Sequence, residues 1–254
     1  MKAGKFAGKY NALIFFDCET SGLDPAENQI IELAAVKIRP DGTRDQFDLF
    51  AKLPDGETLP DEIVELTGIT DAMLQELGED IDEVLYEFWD LIALEDSSEA
   101  QGPVLLIAHN AQFDVSFILK AFEKFNNDLL NGVEVDYLDT LTVFKDRRPY
   151  PHRLENAIEK YGLQGIVENS HRAIDDVDAL CEVFKAMHNE KGKNVQNIYR
   201  YVNLFGFNPK YGISGEEIEG VTYMAQPYAK SNQWPLPWYM TLPGKKWKEA
   251  QKNG

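Results

Sequence analysis

The segment FFDCETSGLD (15–24) sets two acids, Asp17 and Glu19, two residues apart at the end of an apolar run. Side chains two apart on a strand point to the same face. Both carboxylates then converge, while Cys18 points to the opposite face. Converging carboxylates repel one another and lose hydration. A divalent cation relieves both costs, and hard oxygen ligands favour magnesium or manganese over zinc. The pair equally fits strand-end acids pointing into solvent, because Asp-x-Glu is a common pattern.

A second segment, AHNAQFD (108–114), follows a short apolar run. Asn110 can cap the helix that begins there. Asp114 falls about one turn into it, near the carboxyl end of a strand, where ligands gather in open α/β sheets. Asp114 also fits a surface acid, and His109 a histidine with satisfied hydrogen bonds. The third segment is SHRAIDDVDALCEVF (170–184). Ile174, Val177, Leu180, Cys181 and Phe184 define the buried face of a helix. Asp176 borders that face, Asp178 lies further from it, and Asp175 lies opposite as a solvated charge. His171 belongs to the loop entering the helix and leans over the site, where an imidazole can serve as general base. An ordinary surface histidine is the alternative.

These residues need elements to hold them. Leu13–Asp17, residues 30–38 (IIELAAVKI) and residues 46–53 (QFDLFAKL) read as strands separated by turn residues, an antiparallel meander. Residues 81–92 (IDEVLYEFWDLI) carry the stripe of an amphipathic helix. Residues 103–109 read as a buried strand and 111–125 as a helix. A further strand ends near Asp139. Helices are expected at 140–146, 153–161 and 173–188, and a surface loop at 95–102. Strands first, then alternating strand and helix, imply a mixed sheet with helices on its faces.

The net charge of −18 argues against broad electrostatic binding to nucleic acid. The charge is unevenly spread: residues 191–254 hold nine Lys/Arg against four Glu, and 11 of the 29 aromatics. This shift divides the chain into a core, 1–190, and a basic, aromatic-rich extension, 191–254. No apolar run is long enough to span a membrane, no signal-peptide pattern follows the N-terminal lysines, and Cys18 and Cys181 lack metal-ligand spacing. A reduced, cytoplasmic protein is the expectation.

Taken together, FFDCETSGLD, AHNAQFD and HRAIDD, in that order, resemble the DEDDh (DnaQ-like) 3′–5′ exonucleases. That family includes the proofreading subunits and domains of replicative polymerases such as DNA polymerase III. The resemblance covers about residues 11–189, and LTGITDAML (66–74) and LDTL (138–141) share it. It implies an RNase H-like α/β fold with a five-stranded mixed sheet flanked by helices. It implies four metal-binding acids at Asp17, Glu19, Asp114 and Asp176, a catalytic histidine at His171, and two divalent ions, Mg2+ or Mn2+. It further implies that Thr20, Ser21 and Leu23 meet the terminal nucleotide, with Asn110 and Phe113 as further pocket residues. Ser21 departs from the threonine that many relatives carry.

The function implied is hydrolysis at the 3′ end of single-stranded or frayed DNA, releasing nucleoside 5′-monophosphates. Alternatives are an RNA or oligoribonucleotide exonuclease, a polymerase-associated proofreading subunit docked through its tail, and a binding module that keeps only the fold. For the tail, Trp234, Trp238 and Trp247 are candidates to stack on bases, beside Lys245, Lys246 and Lys248. Packing of those aromatics against the core is the alternative.

Overall fold

The computed structural model describes residues 9–93, 102–124, 133–167 and 171–252. Strands β1 (Ala12–Thr20), β2 (Ile30–Ile38) and β3 (Arg44–Phe50) form the antiparallel meander. Three helices follow: α1 (Asp61–Thr67), α2 (Asp71–Leu77) and α3 (Ile81–Ile92). Then β4 (Val104–Ala108) leads into α4 (Ala111–Lys124), and β5 (Val135–Asp139) into α5 (Thr140–Arg147). Helices α6 (Leu154–Lys160) and α7 (Ala173–Asn189) complete this part. The strand order is β3-β2-β1-β4-β5, with β4 and β5 parallel to β1. This is the five-stranded mixed sheet of the RNase H-like fold.

β1 is central, so both its faces are covered, and its sequence is a continuous apolar run. Leu13 and Phe15 pack with Val177, Leu180 and Phe184 of α7. Ile14, Phe16 and Cys18 face the other way, against Val84 and Phe88 of α3 and Val115 of α4. Phe15 meets Phe184 edge-on, with ring centroids 5.3 Å apart. The acids of β1 follow the same alternation: Asp17 and Glu19 continue the α7 side.

Some boundaries differ from the sequence expectation. β1 runs on to Thr20 because Glu19 still pairs with Glu32 of β2, and a bulge between Glu19 and Thr20 ends the regular register. β3 stops at Phe50, since Lys52 turns its N–H to the carbonyl of Glu79 instead. Helices α1 and α2 are too short to show a periodic stripe. They are defined by local chemistry: Gly68 closes α1 at φ 72°, and the Thr70 hydroxyl accepts the N–H of Met73 to open α2. The loop expected at 95–102 lies, except for Gly102, outside the described residues.

The segment beyond residue 190 packs on the core. Tyr201, Leu204 and Leu242 are fully buried in the same cluster as Leu13 and Phe15. Asn203 docks this segment on the edge strand. Its N–H donates to the Tyr137 carbonyl, its side-chain oxygen accepts the Tyr137 N–H, and its Nδ2 donates to Asp136. Two short parallel strands follow, β6 (Leu204–Phe207) and β7 (Thr222–Ala225), then helix α8 (Leu242–Lys252). Buried Asp146 of α5 ties them down. It accepts from Gln226 Nε2 at 2.8 Å, the Leu242 N–H at 2.6 Å and the Tyr201 hydroxyl at 3.2 Å. Among the described residues, no helix is long and apolar enough to cross a membrane.

Candidate functional site

Three of the expected acids meet in space. Ligand oxygens of Asp17 and Glu19, from β1, and of Asp176, from the first turn of α7, all lie within 4.8 Å of one another. Asp114 approaches from α4. It is buried, and its Oδ1 accepts the backbone N–H of Cys18 at 3.1 Å. That bond holds the carboxylate beside Asp17 although α4 covers the opposite face of the sheet.

The electrostatic consequence is large. Burial first, and then the carboxylates of Asp114, Asp176, Glu19 and Glu32, push the Asp17 carboxyl well above the usual range. Glu19 is pushed up to about 8, by burial and then by Asp176 and Glu32. Asp114 reaches about 8 through burial, against the opposing pull of the Cys18 N–H. Carboxylates gathered in a buried site raise Asp17 and Glu19 in this way, whereas Asp114 is raised by its burial and by Asp139. A set made only of carboxylate oxygens fits a hard divalent cation, which would let all of them ionise.

His171 precedes α7 on an exposed bend at φ 57°, a left-handed conformation in which histidine is enriched. It lines the same cleft as Asp17 and Asp176. Its backbone is held by its neighbour, Arg172, which donates from Nε and Nη2 to the fully buried carboxylate of Glu32. The Ala173 N–H donates to the other oxygen of Glu32. Asp175 is half-buried rather than solvated, and adds its charge to the surroundings of Arg172.

The remaining expected residues divide. Thr20 is buried, with its hydroxyl donating to the Gly22 carbonyl, and the Ser21 hydroxyl accepts the Gln29 N–H. Both shape the loop from which Leu23 projects, 83% exposed. Asn110 lines the cleft at φ 82°. The capping expected of its side chain is done instead by Asp139, whose carboxylate accepts the N–H groups of Asn110, Ala111, Leu141 and Thr142. One buried acid thereby fixes the starts of both α4 and α5. Phe113 meets Phe117 at a tilt, with centroids 4.9 Å apart, and is not among the residues that line the cleft. His109 is a half-buried histidine of the cleft wall with both ring nitrogens satisfied: its Nε2–H donates to the His152 carbonyl, Thr140 meets Nδ1, and burial holds its pKa down.

Glu32 and Asp139 were the residues that motif reading passed over. Each carried a signal. Glu32 interrupts the apolar run IIELAAVKI just as Asp17 interrupts its own, and Asp139 stands at a strand end before Thr-x-Thr, a capping pattern.

Comparison with known proteins shows what the chain is similar to. The family described as exonuclease matches residues 14–184. DNA polymerase III PolC-type of Halalkalibacterium halodurans is 38% identical over 170 residues, covering 65% of this chain and 10% of that protein. The PolC-type enzyme of Listeria monocytogenes is 37% identical over 184 residues, covering 68% and 12%. The chain therefore spans about a tenth of the length of these curated relatives. Among solved structures, Escherichia coli exonuclease I in complex with a dA16 oligonucleotide superposes with a TM-score of 0.59 at 19% identity, over 71% of this chain and 41% of that one. Cell-death related nuclease 4 gives a TM-score of 0.57 at 16% identity, over 71% and 64%. With the family match covering residues 14–184, more than half of the chain, the chain belongs to the DnaQ-like exonuclease family.

Proposed function

We propose that the chain is a metal-dependent 3′–5′ exonuclease that removes nucleoside 5′-monophosphates from the 3′ end of single-stranded or frayed DNA. The observation that carries this reading is the convergence of Asp17, Glu19 and Asp176 within 4.8 Å, in a cleft shared with His171. Asp17, Glu19, Asp114 and Asp176 would hold two divalent ions, Mg2+ or Mn2+. When bound, such ions supply Lewis-acid stabilisation of the charge that builds on the phosphate and on the leaving oxygen.

The chain's own residues account for the rest. His171 takes a proton from the attacking water as the water oxygen bonds to phosphorus. The bond from phosphorus to the 3′ oxygen of the preceding nucleotide breaks, and that oxygen leaves to be protonated. The Glu32–Arg172 pair keeps the His171 backbone in place. Leu23, exposed beside the acids' strand, would pack against the terminal base, and Asn110 would line its pocket. The acidic surface suits an enzyme that engages one strand end at a locally neutralised site and does not coat a duplex.

DNA is the favoured substrate because the relatives are DNA polymerases and a fold neighbour holds a DNA oligonucleotide. Action on ends made in replication or repair is part of the same proposal, and a cytoplasmic location is carried over from the sequence expectation. The test uses matched DNA and RNA oligomers, each blocked at either end, with Mg2+, Mn2+ or EDTA. The expected result is metal-dependent release of mononucleotides from free 3′ ends, faster on DNA. Cleavage that ignores a 3′ block, or persists in EDTA, overturns the reading, and faster cleavage of RNA replaces the substrate.

A further inference from the structure

The cleft that contains Asp17, Asp176 and His171 is larger than the acid site. It encloses about 590 Å³, and its wall includes residues from 205–228, outside the part matched to the exonuclease family. From that segment come Tyr211 and Tyr228, and Tyr150 comes from the connection between α5 and α6. They are 70%, 46% and 64% exposed. Five tyrosines are strongly exposed among the described residues, and these three share one cleft. Tyr150 and Tyr228 form a pair with centroids 5.2 Å apart.

Cations stand against these rings. Lys145 Nζ lies 5.7 Å from the Tyr228 centroid, and Lys210 Nζ 5.0 Å from that of Tyr211. Lys145 and Arg153 both line the cleft. In a chain of net charge −18, these cations stand next to exposed aromatic faces, in a wall that also carries Glu155, 3.9 Å from Arg153. That combination is the chemistry of single-strand binding: rings for bases, cations for phosphates.

The wall is also held in place before any ligand arrives. The Gly206 N–H donates to Thr142 Oγ1, and Gln226 Nε2 to the Thr142 carbonyl and Asp146. Gly206 permits this, because a Cβ there would sit 2.0 Å from Gln226 Oε1. Gln112 of α4 donates to the Glu216 carbonyl and so ties down the loop that carries Tyr211.

The geometry points to a binding track for single-stranded nucleic acid in this cleft, with bases stacked on Tyr150, Tyr228 and Tyr211 and phosphates met by Lys145 and Arg153. The extension, by this account, grips the strand behind the nucleotide being removed. Trp234, Trp238 and Trp247 are not among the lining residues. Trp238 is covered by Arg200, whose guanidinium lies 5.3 Å from its ring. The inference rests on the exonuclease reading for the position of the 3′ end, and its test separates the two.

Binding of fluorescein-labelled (dT)8 and (dT)2 is measured in EDTA, and hydrolysis of both with Mn2+, for the intact chain and for Tyr211→Ala, Tyr228→Ala, Tyr228→Phe and Lys145→Gln. Loss of one stacking contact is expected to weaken (dT)8 binding about tenfold. The kcat/KM ratio of (dT)8 to (dT)2 should fall similarly, and Tyr228→Phe should restore both. Lys145→Gln should lower the salt slope of (dT)8 binding by about one. Unfolding temperatures near that of the unaltered chain verify the variants. Unchanged (dT)8 affinity and an unchanged ratio in both alanine variants overturn the track, also when the unaltered chain hydrolyses both oligomers. Tyrosine-dependent binding without any hydrolysis keeps the track and removes the exonuclease reading.

Discussion

Arg172 grips Glu32 with two donors, Nε to Oε1 at 2.9 Å (and to Oε2 at 3.3 Å) and Nη2 to Oε1 at 2.7 Å, across 140 residues of sequence. Glu32 stands opposite Glu19 in the β1–β2 register, and Arg172 sits between His171 and the first turn of α7. One ion pair therefore joins β2, the neighbour of the strand that carries two acids, to the segment that carries the third and the histidine. Arg172→Lys gives up the planar fork that makes both bonds. It is expected to lower kcat by about 10²-fold through misplacement of His171 and Asp176, with KM little changed. Steady-state kinetics check this; a wild-type kcat rejects the positioning role. Arg172→Ala leaves a buried carboxylate without its cation and is expected to cost about 3 kcal/mol of stability, read by urea unfolding.

Asp17→Asn and Asp114→Asn are each expected to abolish cleavage and leave the fold intact. The asparagine oxygen can still accept the Cys18 N–H that Asp114 accepts. Removing one charge from the cluster also relieves repulsion, so both variants should unfold no lower than the parent in EDTA. Cleavage near the parental rate by both would remove these acids from the metal site.

His171→Asn keeps a residue that tolerates the left-handed backbone at φ 57° and deletes the imidazole. Single-turnover hydrolysis should slow by about 10²–10⁴-fold, while oligonucleotide affinity stays within a few-fold. An unchanged chemical rate sinks the general-base role.

Glu19 and Asp114 have carboxyls pushed up to about 8, and that of Asp17 lies well above the usual range. Folding without metal thus takes up protons between the ordinary carboxylate range near about 4 and about 8. Stability from these groups is fully present below that window and is lost as pH rises through it. In EDTA, stability should fall from pH 5 to pH 8 more steeply for the parent than for Asp17→Asn. Mn2+ should raise the unfolding temperature more at pH 8 than at pH 5, because protons compete with it for the same oxygens. Thermal unfolding across pH, with and without Mn2+, checks both signs; equal slopes in parent and variant contradict the first.

Tyr201 is buried and reaches Asp146 with its hydroxyl. Tyr201→Ala is expected to destabilise by about 3–5 kcal/mol, as large aromatic truncations in cores do. Truncation after His188 should give an unstable, aggregating protein, since it strips Tyr201, Leu204 and Leu242 from the cluster that contains Phe15. A soluble truncated protein that unfolds near the parental temperature would show the extension to be dispensable for the fold.

The sheet and its main helices were legible because their apolar periods are local: IIELAAVKI can only be a strand buried on both faces, and IDEVLYEFWDLI shows its stripe. Helices α1 and α2 were not, because seven residues carry too little periodicity. Asp17 and Glu19 stand out for a different reason: they are ionisable residues at the end of an apolar segment. Asp114 and His171 each fit a surface residue when taken alone, and only the resemblance of the three ordered motifs to the DnaQ-like exonucleases marks them, together with Asp176. What only the tertiary structure decided is how distant segments meet. Strand register sets Glu19 opposite Glu32, helix packing brings Arg172 to Glu32, and Asn203 lays the extension along β5 so that its tyrosines, not its tryptophans, face the acids' cleft. Such contacts leave no periodic trace, because each partner is compatible by itself with many surroundings and only the closed fold chooses among them.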